Sequence, residues 1–99
     1  MKLPFELSNL AKTDLEEIWI YTLNEWSIRQ ANSYYKLIIS KIEEICKNPA
    51  TGKSIASIKQ NHRALQVKSH IIVYQVKDKK ILIDRILHKR MDIENRIND

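Results

Sequence analysis

Residues 71–90 read IIVYQVKDKKILIDRILHKR, and this stretch decides the fold class. Residues 71–76 and 81–87 are rich in β-branched side chains, which suit a pleated, half-buried surface. Asp78-Lys79-Lys80 between them is a polar turn, so the two runs form an antiparallel hairpin. Side chains alternate along a strand. That alternation predicts Ile81, Ile83, Arg85 and Leu87 on one face of the second run, and Leu82, Asp84, Ile86 and His88 on the other. Both faces are largely apolar, the pattern of a central strand covered on two sides. Arg85 then lies among aliphatics, where it either snorkels to a carboxylate from elsewhere in the chain or serves a partner.

Upstream, residues 63–67 form another short run, joined to the hairpin through Lys68-Ser69. Residues 54–61 are polar with two isoleucines and read as a connecting loop. Before them the hydrophobic period changes from two to 3.6 residues. Leu15, Ile18, Trp19, Thr22, Leu23 and Trp26 fall on one face of a helix. Thr13-Asp14-Leu15-Glu16 has the form of a capping box, which puts Asp14, Glu16 and Glu17 in the first turn. Ser8 is the alternative start. Ser27-Ile28-Arg29-Gln30 is a second capping box. The helix it opens carries Ala31, Tyr34, Tyr35, Ile38, Ile42, Ile45 and Cys46 on its apolar face and ends at Asn48-Pro49. So short a join makes the two helices an antiparallel hairpin. Residues 3–7 read as a first strand, with Pro4 suited to a strand end. The expected architecture is α+β in the order β-α-α-β-β-β. Residues 89–99 add a short helix or a tail that orders on a partner.

Composition agrees with one domain over residues 1–99. A chain of 99 residues with 43% hydrophobic content builds one core and not two. One Gly and two Pro leave few breaks in regular structure. Cys46 is the only cysteine, so no intrachain disulfide forms. That points to a reducing compartment, and the absence of a long apolar run makes a signal peptide or membrane span unexpected. A cytoplasmic location is the expectation. The net charge is +5, but it is unevenly spread. Residues 1–49 hold six Lys/Arg and seven Asp/Glu, and residues 50–99 hold eleven and five, so the halves carry −1 and +6. The basic face is expected on the outer surface of the C-terminal sheet, meeting an acidic partner.

Familiar catalytic constellations are missing. A lone glycine, Gly52, excludes Gly-rich phosphate loops. His62, His70 and His88 lack metal-ligand spacing, and no metal or other cofactor is expected. Cys46 sits on an apolar helix stripe and reads as a buried thiol. Trp19, Trp26, Tyr34 and Tyr35 read chiefly as core packing. Arg63, Lys68 and His70 could converge with His88-Lys89-Arg90 into one basic patch.

The segment from Arg85 to Asp92, RILHKRMD, resembles the C-terminal signature of ParE-type toxins in the RelE/ParE superfamily of toxin–antitoxin systems. Leu7-Ser8, Ala11, Asp14-Leu15, Ile18, Tyr21-Thr22 and Trp26 resemble the family's opening motif. Gln30-Ala31 with Tyr34, Asn48-Pro49 with Gly52, and Arg63 followed by residues 69–74 continue the match in order. The resemblance implies the same β-α-α-β-β-β layout and a cognate ParD-like antitoxin. It implies inhibition of DNA gyrase through a stabilised cleaved complex, without catalysis and with only indirect contact to nucleic acid. On this reading Arg85, His88, Lys89, Arg90 and Met91 meet the target, and Trp19, Trp26, Arg63 and Tyr74 meet the antitoxin. RelE-type relatives are ribosome-dependent mRNA endonucleases, and a site of that kind would use Arg63, Arg85 and His88. The chain lacks the C-terminal Tyr expected for base stacking there. A module that only binds an antitoxin is the third possibility.

Overall fold

Ser8, not Thr13, starts the first helix. In the computed structural model, which describes residues 2–97, Ser8 Oγ accepts the Ala11 amide at 3.0 Å and opens helix α1, Asn9–Glu25. Thr13 lies inside the helix and donates to the Asn9 carbonyl. Asp14 therefore falls past the first turn and is available for tertiary work. The second capping residue is where the sequence places it: Ser27 Oγ accepts the Gln30 amide at 3.1 Å and opens α2, Ile28–Lys47. Ala31, Ile38, Ile42, Ile45 and Cys46 are all buried on one face of α2. A 3₁₀ turn at Pro49–Thr51 ends the hairpin.

The strands are β1 (Phe5–Leu7), β2 (Lys53–Ser54), β3 (His62–Val67), β4 (His70–Lys77) and β5 (Lys80–His88), followed by a short helix α3 (Ile93–Ile97). They form one sheet in the order β1-β5-β4-β3-β2, with β1 parallel to β5 and the other pairs antiparallel. The two-residue β2 lies where a loop is predicted, paired with Arg63 and Ala64. No helix among the described residues is long and apolar enough to cross a membrane.

The predicted faces of β5 hold only as far as Ile83. Tyr74 pairs with Ile83 but Val73 pairs with Arg85, so Asp84 is an extra residue in a β-bulge. Ile81, Ile83 and Ile86 consequently all join the core under α1 and α2. Leu87 turns to the opposite face, where Val73, Ile55, Ile58, Ile93 and Ile97 form a second cluster. That outer face is thus covered by the 55–61 segment and α3, and the expected basic outer surface is not there. Asp84 accepts from Gln75 Nε2 and hydrogen-bonds His62 Nε2, while His62 Nδ1 meets the Gln60 carbonyl at 2.8 Å. His62 is 4% exposed, so this polar knot ties the 55–61 segment to the bulge.

Gly52 has an ordinary φ of −81°, and its requirement is space. A Cβ there would lie 2.7 Å from Tyr74 Oη and 2.9 Å from the Ala64 carbonyl oxygen. The Tyr74 hydroxyl accepts the Gly52 amide and donates to the Pro49 carbonyl, each at 2.8 Å. That pair of bonds joins the end of α2 to the middle of the sheet.

Candidate functional site: a groove beside the C-terminal turn

A groove of about 930 Å³ runs between the helix hairpin and the end of the sheet that carries the β3–β4 turn. Tyr21 and Trp26 stand on its helical wall, 64% and 70% exposed. Trp26 ends the predicted apolar stripe of α1, yet it caps the helix C-terminus and faces solvent rather than the core.

Tyr34, His70 and His88 form the floor. The Tyr34 hydroxyl donates to the Val67 carbonyl at 3.1 Å, and its oxygen lies 2.6 Å from His70 Nδ1. His70 meets His88 edge-on with ring centroids 5.3 Å apart. Burial pushes the His70 pKa down to about 4, neighbouring His88 adds to the fall, and Asp14 opposes it. Burial also raises the Tyr34 hydroxyl, against a hydrogen bond from the Ser69 backbone. The floor is therefore uncharged at neutral pH on its His70–Tyr34 side.

Next to the groove the chain makes a tight turn out of β5. The Lys89 amide donates to the Ser69 carbonyl at 2.8 Å, the Arg90 amide to His88 Nδ1 at 3.1 Å, and the Met91 amide to the His88 carbonyl at 2.9 Å. These bonds hold the backbone while leaving Lys89, Arg90 and Met91 exposed. Lys68, exposed on the adjoining β3–β4 turn, lines the groove from the sheet side, and Glu17 lines it from α1.

Arg85 is placed differently. Its Nε and Nη2 donate to the two carboxylate oxygens of Asp14 at 2.8 and 2.9 Å. The Ile86 amide adds a third bond to Asp14 at 3.0 Å. The two side chains are 16% and 11% exposed. Asp14 thus completes the edge of β5 after β1 has ended at Leu7. The carboxylate expected for Arg85 is real, and it comes from α1.

The structure does not bring Arg63, Arg85 and His88 together. Arg63 shares a row with Tyr74 and His88 with His70, four residues apart on β4 or roughly 13 Å along the strand, and β4 itself lies between them. Arg63 donates to the Gly52 carbonyl at 2.8 Å. Of the residues expected in one basic patch, Lys68 and His70 do lie beside the terminal turn, and Arg63 does not. Tyr74 is fully buried beneath α2, which removes it from any docking surface. Trp19 lines a separate groove of about 500 Å³ with Tyr35 and donates to Asn32 Oδ1 at 3.1 Å. Cys46 is buried, and that burial raises its thiol pKa, with Lys2 opposing. Among the described residues no three His, Cys, Asp or Glu side chains converge as a metal site. Asp14 was the residue to look for in the sequence. A carboxylate three residues after buried Ala11 and four before buried Ile18 falls on the inward face of α1 and needs a cation.

A helix hairpin laid over an antiparallel sheet, with an aromatic groove and an adjoining cationic turn, defines a small α+β domain. The chain belongs to the ParE toxin family of type II toxin–antitoxin systems, whose family pattern, described as the ParE toxin of parDE, matches residues 5–93. It is 33% identical to Toxin ParE1 of Caulobacter vibrioides over 89 residues, which is 90% of this chain and 92% of that one. It is 33% identical to Toxin ParE1 of Mycobacterium tuberculosis over 92 residues, covering 92% and 94%. In fold it resembles a chain of the chromosomal ParDE system from P. aeruginosa, with a TM-score of 0.76, 19% identity and coverage of 88% and 96%. A chain of the toxin–antitoxin complex RelBE2 from Mycobacterium tuberculosis gives a TM-score of 0.63, 13% identity and coverage of 90% and 100%.

Proposed function

We propose that this chain arrests growth by binding DNA gyrase and holding its cleaved complex, and that a ParD-like antitoxin neutralises it in the cytoplasm. The observation that carries the reading is the turn after β5. Lys89 and Arg90 are exposed on a hydrogen-bonded backbone, and neither makes an ion pair among the described residues. Such cations are free to meet a target, with Met91 beside them as an apolar contact. The groove next to them suits an acidic amphipathic antitoxin segment. Its apolar side would cover Tyr21 and Trp26, and its carboxylates would face Lys68, Lys89 and Arg90. The separation of Arg63, Arg85 and His88 weighs against the mRNA endonuclease, which needs a base, an acid and cations around one phosphate.

A supercoiling assay with purified gyrase tests the proposal. The expected result is loss of supercoiling with accumulation of cleaved DNA, weakened when Lys89 and Arg90 are both changed to Gln. No inhibition at stoichiometric excess would sink the gyrase reading. Cuts in translated mRNA by toeprinting would replace it with the endonuclease. Normal growth on induction of folded protein would leave a module that only binds its antitoxin.

A further inference from the structure

Arg85 opens the terminal signature, yet its side chain is turned into the protein. One edge of its guanidinium is taken by Asp14, and Nη1 donates to the Arg96 carbonyl of α3 at 3.3 Å. Lys59 Nζ donates to the Ile97 carbonyl at 3.0 Å. Two cations thus occupy carbonyls at the C-terminal end of α3, where the last turn has no intrahelical donors and the helix dipole is negative. A five-residue helix is far below the length that is stable alone. Burial of Ile93 and Ile97 against Val73 and Leu87 holds α3, Asp92 accepts from Asn95 and Arg96 at its start, and these two cations hold its end.

We propose that Arg85 and Asp14 are positioning residues. Asp14 on α1 aims the guanidinium, and the guanidinium seats α3 and so fixes the outgoing end of the 88–92 turn. Arg85 then supports the surface that meets a target without touching the target. The geometry requires an arginine, because the fork must serve two carboxylate oxygens and a carbonyl in different directions. A lysine carries the charge but no such fork.

Backbone hydrogen exchange on the full chain tests this directly. Arg85→Lys is expected to speed exchange at residues 95–97 by about tenfold or more, the order set by one lost charge-assisted hydrogen bond. Exchange in α2 is expected to stay unchanged. Lys59→Gln removes the other cation without touching β5. It is expected to speed exchange at the same amides and covers the case in which Arg85→Lys fails to fold. The double variant Lys89→Gln/Arg90→Gln is expected to leave those amides as they were. Unchanged exchange at 95–97 in folded Arg85→Lys would overturn the proposal, and where that variant does not fold, unchanged exchange in Lys59→Gln would. So would loss of growth arrest in Arg85→Lys with α3 exchange intact, since that marks Arg85 as a contact. The last comparison rests on the toxin reading. The exchange measurement stands even if the unaltered chain arrests nothing.

Discussion

At the scale of single residues, two positions carry testable consequences. Gly52→Ala puts a methyl group against Tyr74 Oη and the Ala64 backbone, and the carbonyl cannot move aside cheaply. Overpacking of this kind costs about 1–3 kcal/mol, read as a lower urea midpoint with unchanged slope. His70 carries a pH dependence. Its folded pKa of about 4 lies below the ordinary 6.5, so the unfolded chain binds more protons between those values. Stability is therefore complete above about pH 6.5 and falls as pH drops toward 4. Denaturant midpoints measured across that window should decline in the unaltered protein and flatten in His70→Asn. Neither effect follows from residue type. Gly52 looks like a loop glycine and His70 like a surface histidine until the sheet register sets Tyr74 and His88 beside them.

At the scale of elements, Ser8 joins two roles. Its hydroxyl caps α1, and it also donates to the Asp84 carbonyl at 2.7 Å, which ties the helix to the bulge. Ser8→Ala is expected to cost about 1–2 kcal/mol, at the upper end for an N-cap, by thermal or denaturant unfolding. Much of the element plan was legible: both helices, the hairpin between them and the β3–β4–β5 meander follow from periodicity and turn residues. The start of α1 was ambiguous because Ser8 and Thr13 both precede plausible first turns, and a contact from the far end of the chain chooses Ser8. The bulge was not legible at all. Alternation assumes unbroken pairing, and the carboxylate of the extra Asp84 finds its partners only in His62 and Gln75, brought alongside by β3 and β4.

For the molecule as a whole, the charge asymmetry was visible in the sequence but its location was not. Apolar side chains from α3 and residues 55 and 58 occupy the outer face, so the cations near the groove are confined to turns at the sheet end. Trp26 gives the whole-molecule test of the groove. It is largely solvent-exposed, so Trp26→Ala should change stability by no more than about 0.5 kcal/mol. The same change should weaken binding of the ParD-like antitoxin proposed above, measured by calorimetry, and equal affinity would remove Trp26 from the docking surface. The pairing of the first strand with the last has a bearing on synthesis. Phe5, Glu6 and Leu7 find Ile81, Leu82 and Ile83, and Ser8 donates to the Ile83 carbonyl. A growing chain thus lacks the final partner of its first strand until β5 has left the ribosome. The groove floor and the cationic turn come into being only at that moment. A nascent chain therefore lacks the surface proposed above for target and antitoxin until β5 has paired with β1.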